Sequence, residues 1–140
     1  MQQAYLIGIT NYPNHPLPGV PNDLALMQRA LRHQGFAPEA IQTFGDEQGT
    51  LAGLHQVLAT IREDFAPVVA DVVADATDNG LHHCFFYFSG SGMLAVDPLQ
   101  GGIKPLDGDD LNFQSALSFA ELNRYLPMCP GIQVTVVLDC

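Results

Sequence analysis

The apolar run from Cys84 to Phe88, which passes directly into Ser89-Gly90-Ser91-Gly92, constrains the fold more than any other segment. Five consecutive apolar or aromatic residues, without the alternation of a half-exposed strand, predict a strand that is covered on both faces. Such a strand needs other strands beside it and helices above and below it. The segment therefore predicts an α/β protein with this strand at the centre of the sheet.

Three further segments predict strands that accompany the central one. Residues 4–9 (AYLIGI) and 133–138 (QVTVVL) are short apolar runs bounded by turn-forming residues, and residues 41–44 form a weaker one. Glycine, proline and aspartate are concentrated in residues 94–110, which predicts a loop or a small hairpin. The order β-α-β-α-β-(loop or hairpin)-α-β predicts a three-layer α/β/α sandwich with a mostly parallel sheet of about four main strands.

Three helices are predicted from apolar spacing and from capping residues. Asn22 is a candidate N-cap for the first helix, and Thr50 is a candidate N-cap for the second. The helical period of the second continues to Asn79-Gly80, although Pro67 is expected to kink or divide it. Ser118-Phe119-Ala120-Glu121 has the pattern of a capping box and predicts a short third helix.

Charge and cysteine content argue against several function classes. The chain has 140 residues, enough for one domain, with fifteen acidic residues against five Lys+Arg and a net charge of −10. This excess disfavours nucleic acid and anionic membranes as partners and is compatible with cationic ligands. Taken alone, it favours the simpler interpretation that the excess acid only keeps the protein soluble. Three cysteines without CxxC spacing, together with an N-terminus that lacks a secretory signal, predict a cytoplasmic location. No apolar run is long enough to span a membrane.

Polar residues follow three of the predicted strands. In open parallel sheets, ligands bind beyond the carboxyl ends of the strands. Asp23 lies beyond the first strand, Ser89 and Ser91 follow the third, and Asp139-Cys140 follow the last. Because neighbouring strands are about 5 Å apart, these side chains are expected to meet. The pattern predicts an acidic pocket beside a cysteine, and a thiol there is a candidate nucleophile if a base is near.

These segments resemble the large-subunit half of a caspase-like cysteine peptidase of the bacterial metacaspase or orthocaspase type. The resemblance implies one domain over residues 1–140, the caspase-hemoglobinase fold and the strand order 2-1-3-4. It also implies an endopeptidase lineage that hydrolyses peptide bonds after Arg or Lys with a Cys-His dyad. The matching pieces, in chain order, are YLIGITNYPNHPLPGVPND, FFYFSGSG, the GGIKPLDGDD region, ALSFAEL and VTVVLDC.

The resemblance further implies where the dyad would lie. The family's base histidine lies in a Ser-Gly-His-Gly turn, and here Ser89 and both glycines match, whereas Ser91 occupies the histidine position. The family's nucleophile lies two residues after an aspartate that matches Asp139. Cys140 is the residue between them, so the sequence given ends just before the expected nucleophile. Serine does not accept a proton near neutral pH and cannot replace the base.

We therefore expect no peptidase activity from this chain. A natural pseudoenzyme and a deliberate His-to-Ser exchange both fit that expectation. Ser91 is disfavoured as a nucleophile of its own, because SGSG does not match the Gly-x-Ser-x-Gly elbow of serine hydrolases.

The resemblance also implies binding residues. Metacaspase-like members hold the basic side chain that precedes the cleaved bond in an acidic pocket, and the matching residues are Asp23, Ser89 and Asp139. The implied partner is a peptide or protein with that basic residue. Some such peptidases bind calcium through aspartates after the histidine loop. The loosely similar residues here are Asp107, Asp109 and Asp110.

A second function class is a non-catalytic interaction module. The last predicted strand leaves an open sheet edge, which can pair with a small-subunit fragment or with another copy of the chain. A nucleotide-binding doubly wound domain is disfavoured because the sequence has neither a G-x-G-x-x-G motif nor a P-loop.

Overall fold

A computed structural model of the protein describes residues 1–74 and 80–140. Within these residues the chain forms seven strands and three α-helices, in the predicted order, and residues 94–110 contribute to a hairpin. The strands are β1 (Gln2–Gly8), β2 (Ile41–Phe44), β3 (His82–Ser89), β4 (Gly92–Val96), β5 (Leu99–Ile103), β6 (Leu117–Ser118) and β7 (Ile132–Asp139). The helices are α1 (Val20–His33), α2 (Leu51–Ala74) and α3 (Phe119–Tyr125).

The main sheet has the order β2-β1-β3-β7, and each neighbouring pair is parallel. With β7 as the fourth main strand, this confirms the predicted order 2-1-3-4. β3 is central, with β1 on one side and β7 on the other. The register places Ser89 level with Gly8 and with Asp139, so three strands end side by side.

The two faces of the main sheet are covered by different helices, because successive side chains of a strand point to opposite faces. On one face Tyr5, Phe86 and Phe88 pack against α2 and α3. On the other face Leu6 and Phe85 pack against residues of α1. The arrangement confirms the three-layer α/β/α sandwich.

Helix α1 begins at Val20, with Gly19 in the N-cap position, so the prediction of Asn22 as the N-cap was wrong. Pro21 explains the difference. Proline in the first turn has a preset φ and lacks an N–H that would have no partner there, so it favours a helix start before Asn22. Helix α2 begins where predicted, and the Thr50 hydroxyl accepts a hydrogen bond from the backbone N of Gly53 at 3.1 Å.

Pro67 lies inside α2 but does not divide it, and the helix is continuous from Leu51 to Ala74. A kink at Pro67, the other expectation, stays a prediction. Buried residues on both sides of the proline, Phe65 and Val72, anchor the helix and offset the missing hydrogen bond. The predicted end at Asn79 lies outside the described residues. In the two described segments, no helix is long and apolar enough to cross a membrane.

Helix α3 confirms half of the predicted capping box. The Ser118 hydroxyl accepts a hydrogen bond from the backbone N of Glu121 at 3.1 Å. The Glu121 carboxylate does not complete the box but contacts His55 Nε2 of α2 at 2.8 Å. This pair joins the two helices that cover one face of the sheet.

A second, antiparallel sheet follows the central strand directly. Its order is β4-β5-β6, and β4 and β5 form a hairpin whose first residue, Gly92, comes just after Ser91. The turn of residues 90 and 91 therefore joins the two sheets.

Candidate active site

The ends of β1, β3 and β7 form the frame of the site. The backbone N of Ile9 donates a hydrogen bond to the carbonyl of Ser89 at 3.0 Å, and the backbone N of Gly90 donates to the carbonyl of Asp139 at 3.1 Å. The turn after β3 is thus tied to both neighbouring strands. These backbone hydrogen bonds hold the strand ends together and explain why the polar residues of this edge lie close to one another.

An acidic cleft lies between this edge and the first turn of α1. The Ser89 hydroxyl, in a residue that is only 2% exposed, donates a hydrogen bond to Asp23 Oδ2 at 3.2 Å. The structure therefore brings Asp23, Ser89 and Asp139 to one cleft, with no basic side chain in its lining. The cleft has a volume of about 350 Å³ and is lined by Leu17, Pro18, Gly19, Val20, Asp23, Ser89, Gly90, Asp139 and Cys140.

Tyr87 is a residue of this site that the sequence reasoning missed. It points to the same face of β3 as Ser89, two residues earlier. Burial is the largest cause that raises the pKa of its hydroxyl, and the negative charges of Asp139 and Asp23 raise this pKa further. A hydrogen bond with Ser89 acts in the opposite direction and lowers it. A neutral hydroxyl therefore adjoins the acidic cleft. The available signal was the two-residue period that places Tyr87 in line with Ser89.

Ser91, the position that matches the family's base, is held by Tyr12 of the proline-rich loop. The Tyr12 hydroxyl accepts a hydrogen bond from the backbone N of Ser91 at 3.0 Å and donates one to the carbonyl of Lys104 at 2.8 Å. The pKa of Tyr12 is raised to about 12, and burial is the largest cause. The hydroxyl is therefore protonated at neutral pH and can act as both donor and acceptor.

Cys140 lies against the same turn. A Cβ placed on Gly92 would be 3.2 Å from Cys140 Sγ, so the last residue of the chain adjoins the residue after Ser91. Burial raises the pKa of the Cys140 thiol, and the charge of Asp139 raises it further. Both effects disfavour the thiolate and so disfavour Cys140 itself as a nucleophile.

The proline-rich loop that carries Tyr12 is pinned at its base by Asp46, which sequence reasoning also missed. Asp46 Oδ1 accepts a hydrogen bond from the backbone N of Thr10 at 2.7 Å, and Asp46 Oδ2 accepts one from Asn11 Nδ2 at 2.6 Å. The backbone N of Leu17 donates to the carbonyl of Thr10 at 2.7 Å and closes the loop. Asp46 follows β2 and so lies at the same edge of the sheet, which was the available signal.

The three aspartates that the resemblance suggests as calcium ligands each contact a different part of the chain. Asp107 accepts a hydrogen bond from the backbone N of Leu51, Asp109 accepts one within its own loop, and Asp110 pairs with Lys104 at 2.7 Å. Among the residues that the structure describes, no group of three or more His, Cys, Asp or Glu is arranged to hold a metal ion. Calcium binding by Asp107, Asp109 and Asp110 stays a prediction from the resemblance.

A second cleft, of about 470 Å³, borders Ser91 on the side of the 104–111 loop. His15 lines it together with Ser91, Lys104 and Asp110. The other four histidines lie outside the linings of both clefts that border the turn. Ser91, which the resemblance assigns to the position of the family's base, therefore faces a polar cleft.

A protein-family model matches the chain over its whole length. The family model of the caspase domain covers residues 1–140, which include every segment on which the resemblance was based. No curated protein matches the chain.

The close packing at Gly90 predicts the effect of a single methyl group. A Cβ on Gly90 would lie 2.5 Å from Phe88 Cζ and 2.8 Å from the Tyr12 hydroxyl. We expect Gly90→Ala to lower the free energy of unfolding by about 1–3 kcal/mol in urea denaturation, because this overpacking must be relieved by shifts around it. Gly45→Ala, where no atom lies within 4 Å of the added Cβ, is the matched control. Equal losses in the two variants would contradict the packing account.

The raised pKa of Tyr12 predicts a pH dependence of stability. The folded-state pKa is about 12, above the ordinary value of 10.0, so the neutral hydroxyl stabilises the fold fully below pH 10. That contribution is lost as the pH rises from 10 toward 12. We expect the stability difference between the natural chain and Tyr12→Phe to shrink across this window in urea denaturation. A difference that is constant with pH would show that Tyr12 does not titrate with a raised pKa.

Proposed function

The chain belongs to the caspase-domain family, and we propose that its acidic cleft binds the arginine or lysine side chain of a polypeptide, in the manner of the metacaspase and orthocaspase types. The observation that supports this most directly is the convergence of Asp23, Ser89 and Asp139 on one cleft. These are the positions that the resemblance assigns to the pocket for the basic side chain.

The chemistry of the cleft fits a long cationic side chain. Two carboxylates without a basic neighbour attract a cation, and a guanidinium can donate paired hydrogen bonds to a carboxylate. The hydrogen bond from Ser89 orients the Asp23 carboxylate. Leu17 and Val20 offer apolar contact to the aliphatic stem of an arginine or lysine.

We further propose that residues 1–140 bind such a polypeptide without hydrolysing it. In a Cys-His dyad the imidazole takes the thiol proton and later gives it to the leaving amine. Ser91 cannot perform either transfer near neutral pH, and loss of a placed base typically costs about 10²–10⁴-fold in rate. The position that the resemblance assigns to the base therefore supplies no imidazole. The proposed activity of this chain is therefore recognition, as in a pseudo-peptidase.

An interaction module that pairs through the main sheet is the second candidate function. Within the described residues, β7 has a neighbouring strand only on the side of β3. Val136 of β7 is 40% exposed although it lies in a parallel sheet, where strands are usually covered. An edge of this kind favours pairing with a small-subunit fragment or with another copy of the chain.

The acidic cleft is tested by removing its charge at constant shape. We expect Asp23→Asn with Asp139→Asn to weaken the binding of a fluorescent arginine-containing peptide by about tenfold or more in an anisotropy titration, since charged hydrogen bonds contribute about 1.5–3 kcal/mol. Asp71→Asn, at an exposed position of α2, is the matched control. A peptide with citrulline in place of arginine keeps the shape without the charge and should bind weakly to all three proteins. Unchanged affinity of the double variant would remove the proposed pocket.

The sheet-edge candidate is tested by the mass of the particle in solution. We expect sedimentation of the unsubstituted chain at high concentration and high salt, which screens the like charges of two copies, to show a dimer. Val136→Lys should dissociate it, because a buried lysine without a partner is costly at the paired edge. Val73→Lys, on an exposed valine of α2, is the matched control. A strict monomer at every concentration would count against pairing between copies.

A further inference from the structure

One face of the β4–β5 hairpin exposes large apolar side chains. Leu94 is 68% exposed, Val96 80% and Leu99 76%, and Phe119 at the start of α3 is 37% exposed. These four residues are called the hairpin patch below. Contiguous exposed apolar surface on a soluble domain commonly marks a binding site.

The four side chains share one face because of the hairpin register. Leu94 is opposite Gly101, and Val96 is opposite Leu99. Directly opposite residues, and residues two apart on one strand, point to the same face. A Cβ on Gly101 would lie 2.6 Å from Phe119 Cε2, so the ring of Phe119 occupies the space that this glycine leaves beside Leu94. The hairpin patch is therefore continuous from the hairpin tip to α3.

The outer edge of β4 adjoins this patch. In the described part of the chain, β4 is the terminal strand of its sheet and has a strand neighbour only in β5. Natural edge strands are commonly protected from pairing by charged residues, by proline or by a bulge. Residues 92–96 (GMLAV) contain no charged residue and no proline. The edge thus offers backbone hydrogen-bonding groups next to apolar side chains.

Charge determines which occupant the patch favours. Asp97 is the only charged residue of the hairpin, residues 92–103, and the whole chain carries a net charge of −10. A second copy would bring the same excess of negative charge, and like charges oppose association. A segment that is apolar in its middle and basic at its ends complements both the patch and its surroundings.

We propose that the hairpin patch and the free edge of β4 bind an extended apolar segment of a partner polypeptide, flanked by lysine or arginine, as an added strand. Backbone hydrogen bonds to β4 align the segment, and alternate side chains pack on Leu94, Val96 and Leu99. The basic flanks face Asp97 and the negative field of the domain. The site is separate from the acidic cleft and does not depend on the function proposed for that cleft.

The experiment uses a fluorescent peptide of alternating valine and threonine with two lysines at each end. We expect Leu94→Ser with Leu99→Ser to weaken its binding about tenfold or more in an anisotropy titration, because two apolar contacts are lost. Leu111→Ser, at a leucine that is 97% exposed in another loop, is the matched control and should bind as the natural chain does. Thermal unfolding measurements establish that both variants are folded.

Two further arms distinguish the hairpin from other sites. The loss of affinity caused by Leu94→Ser with Leu99→Ser should be equally large in the Asp23→Asn, Asp139→Asn background, where the acidic cleft no longer attracts the lysines of the peptide, so that failure of the acidic cleft and failure of the hairpin patch are separate outcomes. Hydrogen exchange of β4 amides should slow when the peptide binds, and a peptide with alternate N-methylated residues should not bind.

Four results would overturn the proposal. The first is that the unsubstituted chain does not bind the peptide, and the second is that the Leu94→Ser, Leu99→Ser variant binds it equally well. The third is that peptide binding slows amide hydrogen exchange only in β7. The fourth is that the unsubstituted chain forms a dimer that this variant dissociates. The last result would make the patch an interface between copies.

Discussion

The parallel register of β1, β3 and β7 is the constraint on which the rest of this structure depends. Because β3 is buried on both faces, a shift of one residue would move its aromatic side chains to the wrong layers, so the register is strongly specified. That register places Ser89 level with Gly8 and Asp139. The acidic cleft and the turn that carries Ser91 follow from this alignment.

Binding and proton transfer depend on different residues in such a frame. Asp23 and Asp139 line the acidic cleft, and the cation binding proposed for them does not involve the residue at position 91. Tyr12 holds the backbone of Ser91 through its hydroxyl, and this contact does not depend on the side chain at that position. Under the proposed function, a serine in place of the family's histidine would therefore remove the proton-transfer chemistry and leave the architecture of the cleft in place.

Local signals predicted some elements well and failed where a neighbouring residue competed. The bounds of β2 and the Thr50 cap agree with the structure, because both depend on contacts within a few residues. The Asn22 cap was wrong because Pro21 favours an earlier helix start. The division at Pro67 did not occur because packing of α2 against the sheet outweighs the cost of one missing hydrogen bond. In each failure the predicted local preference was real, and a nearby constraint or tertiary packing overrode it.

The sequence by itself determined the alternation of strands and helices, the central position of residues 84–88 and the placing of polar residues at strand ends, because burial requires a matching period of apolar residues. Only the tertiary structure decided which side chains hold the site. Tyr12 contacts Ser91 across 79 positions of the chain, and Asp46 contacts Thr10 across 36. Hydrogen bonds between segments so distant in sequence leave no local periodicity, so the loops that shape both clefts became visible only when the chain was folded.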